Sequence, residues 1–204
     1  MLRGPLALTA LCLAGSSLWG CALEPEGHVA MTGVASGTDA VVGASASADR
    51  ITVYLCGGEA DVATRTHWFE GAIQSSGAIA IDTGDGWRLE GVADGEGARG
   101  VVHTPDGDLL HWSARPVEPG TVAGLYSVVS EGCRTGVVVT QGGADAEPRA
   151  QGAWCSGAGA QAGAKDIFEQ VTPIFPIALQ ARGIHINVRA PGEMLDLYAA
   201  PVEP

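Results

Sequence analysis

Ala98-Arg99-Gly100-Val101-Val102-His103-Thr104-Pro105-Asp106-Gly107-Asp108-Leu109-Leu110-His111-Trp112-Ser113-Ala114-Arg115 is the stretch that decides the fold. Two apolar runs, each too short for a stable helix, flank Asp106-Gly107. That dipeptide tolerates the positive backbone angles of a tight hairpin turn. Residues 98–104 and 108–115 therefore read as two antiparallel strands.

The same grammar extends outward in both directions. Upstream, Ile51, Val53 and Leu55 alternate with Thr52 and Tyr54, and His67–Ile73, Gly77–Asp82 and Trp87–Val92 follow as short runs. Downstream come Thr121–Ser130, Cys133–Thr140 and Ala150–Cys155. Ile184-His185-Ile186-Asn187-Val188-Arg189 alternates strictly, the period of a strand with one buried face. Leu195 and Leu197 continue that pattern. The breaks carry turn chemistry: Ser75-Ser76-Gly77, Thr83-Gly84-Asp85-Gly86, Asp94-Gly95-Glu96-Gly97 and Pro191-Gly192-Glu193. Short turns at this spacing predict an all-β chain of about ten strands, an antiparallel barrel or sandwich built mainly as a meander. The helix signal is confined to Ala162–Gln170. Pro173 and Pro176 predict an edge or bent strand after it, since neither donates to a ladder. A division near Pro116–Pro119 would leave two halves each short of core, so one shared body over 51–204 is expected.

The N-terminus reads as an address. Arg3 supplies a positive start, and Leu6–Leu18 is an uncharged apolar run too short to span a bilayer. Leu18-Trp19-Gly20-Cys21 closes it and resembles the bacterial lipobox, with Leu18, Gly20 and Cys21 matching and Trp19 departing from the usual small residue. The resemblance implies removal of residues 1–20, lipidation of Cys21 and a membrane-anchored envelope protein. With no acidic residue at Ala22 or Leu23, it also implies onward sorting to the outer membrane, facing either the periplasm or the surface. The alternative is secretion after cleavage following Ala22, because Gly20-Cys21-Ala22 also presents small residues at the required spacing.

Residues 22–50 read as a flexible tether. Sixteen of these 29 residues are Ala, Gly, Ser or Thr, and no clean alternation survives. The competing reading is that Val29–Val42 adds an edge strand to the body. The whole chain of 204 residues has a formal charge of −12. Such a surface repels nucleic acid, which is not expected as a partner. The partners expected are the membrane, through the lipid, and an envelope protein or glycan.

Export permits disulfides. Cys56, Cys133 and Cys155 remain beside Cys21, and an odd number leaves at least one thiol outside an internal bridge. Cys133–Cys155 is the favoured pair, with Cys56 joining either partner as the alternative.

Chemistry is sparse. His67, His103, His111 and His185 fall in no metal signature, and no metal or other cofactor is expected. His103 and His111 flank the Asp106-Gly107 turn and are expected to face each other in the hairpin. Asp82, Asp85 and Asp94 read as solvated turn carboxylates rather than a calcium loop. Cys56 with His67 would need a reduced thiol in an oxidising compartment. Four tryptophans, Trp68, Trp87, Trp112 and Trp154, lie within or at the edge of predicted strands and are expected to fill much of the core. His67-Trp68-Phe69 is the candidate aromatic binding surface, because adjacent strand residues point to opposite faces. Tyr54-Leu55-Cys56-Gly57-Gly58 is similar to the opening of the envelope lysozyme inhibitors, which implies a small exported β-barrel. The expected function is a non-enzymatic, lipid-anchored binding or structural module. A small-ligand barrel, a lysozyme-inhibitor-like protein and a secreted hydrolase are the alternatives.

Overall fold

A computed structural model describes residues 27–130, 133–142, 145–156, 167–173, 183–190 and 193–204. Among them the chain is all-β, with fourteen strands in two antiparallel sheets. The first sheet holds β1 (Val29–Ala35), β2 (Val41–Ala46), β3 (Arg50–Cys56), β4 (His67–Ala72), β5 (Ala78–Asp82), β6 (Arg88–Asp94), β7 (Gly97–His103) and β8 (Leu109–Pro116). Its order is β4-β3-β2-β1-β8-β7-β6-β5, a meander whose first and last strands return to each other through β1–β8 pairing.

The second sheet is a closed six-stranded barrel in the order β10-β11-β12-β13-β14-β9. Its strands are β9 (Gly124–Ser130), β10 (Cys133–Thr140), β11 (Arg149–Ser156), β12 (Ile167–Pro173), β13 (Ile184–Ala190) and β14 (Glu193–Pro201). The expected all-β antiparallel barrel is what forms, but as two linked sheets rather than one, divided at the Pro116–Pro119 stretch. Splitting costs little core here, because the barrel packs against the outer face of the first sheet.

The Asp106-Gly107 hairpin forms as β7 and β8. Gly107 has φ 89°, and Thr104 N–H donates to the Asp108 carbonyl at 3.0 Å. Along β8, burial alternates residue by residue: Leu110, Trp112 and Ala114 point inward. The interior of the first sheet is filled by its own side chains, among them Leu55, Phe69, Leu89, Val102 and Trp112.

β2 and β3 break the alternation. From Val42 to Ala46 and from Ile51 to Cys56 every residue is buried. One face lines the first sheet's interior and the other packs on β9–β11. Tyr54, Cys56, Leu125, Val138, Ala153 and Val202 form that shared core.

Residues 29–46 are therefore not the flexible tether expected over 22–50; they are β1 and β2, central strands of the first sheet. The Ala, Gly and Ser content that reads as linker is a packing requirement. A Cβ at Gly43 would lie 2.9 Å from the side chains of both Leu125 and Val138, so only hydrogen fits there. Ala44 and Ala46 point into the interior beneath it. Residues 22–26 lie outside the described residues.

The helix signal at 162–170 is overturned where it is described: Ile167–Gln170 opens β12, paired antiparallel with β11. Two neighbouring strands supply hydrogen bonds that override a weak helical preference.

Candidate functional site

β4 and β5 are the two strands of the first sheet with a partner on one side only, and the seam between them is where titratable and aromatic groups gather. The Ile73–Ile79 bridge joins them at one end. In the middle, Ile81 lies over Gly71, where a Cβ would come within 2.6 Å of the isoleucine side chain. At the other end stands His67. Its ring stacks on Trp87 with centroids 4.8 Å apart and planes 5° apart, and meets Phe69 edge-on at 4.9 Å.

His67 Nε2 lies 3.2 Å from Thr83 Oγ1, and Thr83 Oγ1 lies 2.5 Å from Asp85 Oδ1. A hydroxyl donating to Asp85 accepts from the imidazole, which fixes the proton on Nε2. Gly84 and Gly86, at φ 79° and 96°, turn the β5–β6 loop so that Thr83 and Asp85 face the histidine. Burial lowers the His67 pKa, and the Asp85 carboxylate 3.9 Å away pulls it part of the way back. Burial works to raise the Asp85 carboxyl, but the Thr83 hydroxyl and the His67 ring outweigh it and hold it below its usual value.

This order of groups determines what the cluster does. In a nucleophile relay the imidazole stands between hydroxyl and carboxylate. Here the hydroxyl stands in the middle, so it is a tie across the seam and not an activated nucleophile. Arg65 adds a second tie at the same end, 3.2 Å from both Asp61 and Asp108.

The expected aromatic surface resolves into two packed faces. Phe69 is fully buried in the interior with His67 beside it. Trp68 points the other way, into the contact with the second barrel. Its indole N–H donates to the Arg134 carbonyl at 3.3 Å, the Arg134 guanidinium sits 3.9 Å from its ring centroid, and Tyr54 lies 4.3 Å away. Arg134 also pairs with Glu70. His67, Trp68 and Phe69 thus serve the seam, the inter-sheet contact and the core, in that order, and present no shared platform.

Of the cysteine candidates, Cys133 and Cys155 are bridged, with Cα atoms 5.6 Å apart. Cys56 is a buried free thiol whose pKa burial pushes up to about 11. It faces the inter-sheet core, where Gln151 holds the neighbouring Cys56 and Gly57 carbonyls at 3.3 and 3.0 Å. His67 faces the opposite side of the sheet, so the two form no dyad. Cys21 lies outside the described residues.

His103 and His111 share the outer face but are not opposite each other: the register pairs His103 with Leu109 and Val101 with His111. Asp94 lies at the far end of the strands from Asp82 and Asp85, so the three share no site. Among the described residues no group of three or more His, Cys, Asp or Glu is placed to hold a metal. Sequence reasoning missed Thr83 as a partner of His67, because the seam that joins them is a product of sheet closure.

The opposite end of the first sheet opens into a hollow of about 570 Å³, lined by Gly27, Val29, Ala46, Ser47, Ile73 and Ala93 among others. No helix among the described residues is long and apolar enough to cross a membrane.

Fold and geometry define an all-β protein in which a nearly closed eight-stranded antiparallel sheet is linked to a six-stranded barrel. No protein-family model matches the chain, and neither a curated protein nor a solved structure matches it significantly.

Proposed function

We propose that this chain is a lipid-anchored protein of the bacterial cell envelope, acting there as a non-enzymatic binding or structural module. The observation that carries the reading is Leu18-Trp19-Gly20-Cys21 at the end of an uncharged apolar run. A chain cut before Cys21 keeps the thiol that receives the lipid. One acyl chain holds only marginally, whereas the two or three of a lipoprotein anchor durably.

Two features of the body support it. The Cys133–Cys155 bridge suits an oxidising compartment outside the cytosol. The first sheet's interior is occupied by Phe69, Leu89, Trp112 and their neighbours, which favours a module working through its surface over a small-ligand barrel. A charge of −12 on the chain points to a partner that is neutral or basic.

The test is metabolic labelling with a radioactive or clickable fatty acid. The native chain is expected to take the label and to sediment with membranes. Cys21→Ser is expected to lose both; a labelled Cys21→Ser protein would sink the reading.

A further inference from the structure

We propose that the hollow end of the first sheet, where β1 begins, is the face this protein turns to the lipid bilayer, resting on a zwitterionic phospholipid surface. The inference deepens the lipoprotein reading and rests on it.

The distance from Cys21 to the body limits its orientation. Gly27 lines the hollow and stands six residues after Cys21. In any conformation six residues span at most about 22 Å. A strand of seven residues, such as β1, is about 23 Å long. To turn the other end toward the membrane, Gly27 would have to rise by that strand length, using the entire tether at full extension. A chain held straight gives up its conformational freedom, so the hollow end stays near the bilayer.

The net charge of the chain selects the kind of surface. At −12 the protein is repelled by anionic headgroups, so a bilayer without net charge suits it better.

The lining of the hollow matches such a surface in its chemistry. Val29, Ile73 and Ala93 line the hollow beside Ser47, Gln74 and Ser75. Apolar surface interleaved with hydroxyl and amide groups suits the glycerol and headgroup layer, where apolar and polar groups mix. The opposite end, with the His67 seam, then faces away from the membrane and is left free for a partner.

The test uses the full lipidated chain in phosphatidylcholine vesicles containing a headgroup spin-labelled lipid. A fluorophore is attached at Ser76→Cys or at Asp106→Cys, both exposed sites at opposite ends. Cys56 is buried and Cys133 and Cys155 are bridged, so the added thiol takes the dye. Quenching at position 76 is expected to exceed that at 106 several-fold. Equal or reversed quenching, in a sample whose mass shows lipid on Cys21, would overturn the orientation and leave the lipoprotein reading intact. A mass without lipid would overturn both.

Discussion

The Tyr54 phenol oxygen accepts a hydrogen bond from the Ala153 backbone amide at 3.2 Å, tying β3 of the first sheet to β11 of the second across 99 residues of chain. Tyr54 is fully buried, and burial holds its hydroxyl protonated with a pKa well above the usual value. The two sheets therefore share one core, built around a strand that is buried on both faces.

That contact leaves no spare room. A Cβ at Gly136 would come within 2.6 Å of the Tyr54 ring and 2.7 Å of Trp68. Gly136→Ala is expected to cost about 1–3 kcal/mol through overpacking. Tyr54→Phe, which strands the Ala153 amide, is expected to cost about 1–3 kcal/mol. Urea denaturation followed by fluorescence checks both; a loss under half a kilocalorie for each would mean the sheets are not tightly docked.

Removing residues 27–46 is expected to abolish cooperative unfolding, since it takes away β1 and β2 and opens the first sheet at its centre. A truncated chain that still melts in one sharp transition would restore the tether reading for that segment.

Thiol counting separates the three cysteines of the body. Native alkylation is expected to modify none of them, denaturation without reductant one, and denaturation with reductant three. Replacing Cys133 and Cys155 together is expected to cost about 3 kcal/mol, from the loop of 22 residues that the bridge closes. Three reactive thiols before reduction would contradict the bridge.

His67 gives stability a pH dependence of definite sign. Its folded pKa lies below its ordinary 6.5, so between the two values the unfolded chain binds the proton and the folded chain does not. Stability from this group is complete above pH 6.5 and is lost as pH falls through the folded value. The charged neighbour across the seam is Asp85, which stays ionised until far lower pH. His67→Gln is expected to flatten the melting temperature between pH 7 and pH 5. An unchanged slope would show that His67 ionises freely.

Much of this fold was legible because turn chemistry and alternation agree. The Asp106-Gly107 hairpin, the runs at 67–73 and 133–140 and the alternation at 184–189 all fall on strands. β1 and β2 were illegible for a physical reason: a strand packed closely on both faces needs Gly43, Ala44 and Ala46, and those residues also compose linkers. β12 was obscured because its pairing with β11 and β13 supplies what local preference does not. The candidate site was legible at His67, Trp68 and Phe69 as residues but not as an arrangement. Opposite faces of β4 leave one aromatic exposed or ligand-covered unless both faces are packed, and here the second barrel packs on Trp68 through Arg134. Thr83 and Asp85 reach His67 only once the sheet curls round to bring β5 beside β4.

The most direct test of the lipoprotein account is the intact mass and N-terminal peptide of the chain extracted from cell membranes. The account predicts a chain beginning at Cys21, with the added mass of a diacylglyceryl group on that residue. A chain beginning at Leu23, or one beginning at Cys21 with no added mass, would contradict it.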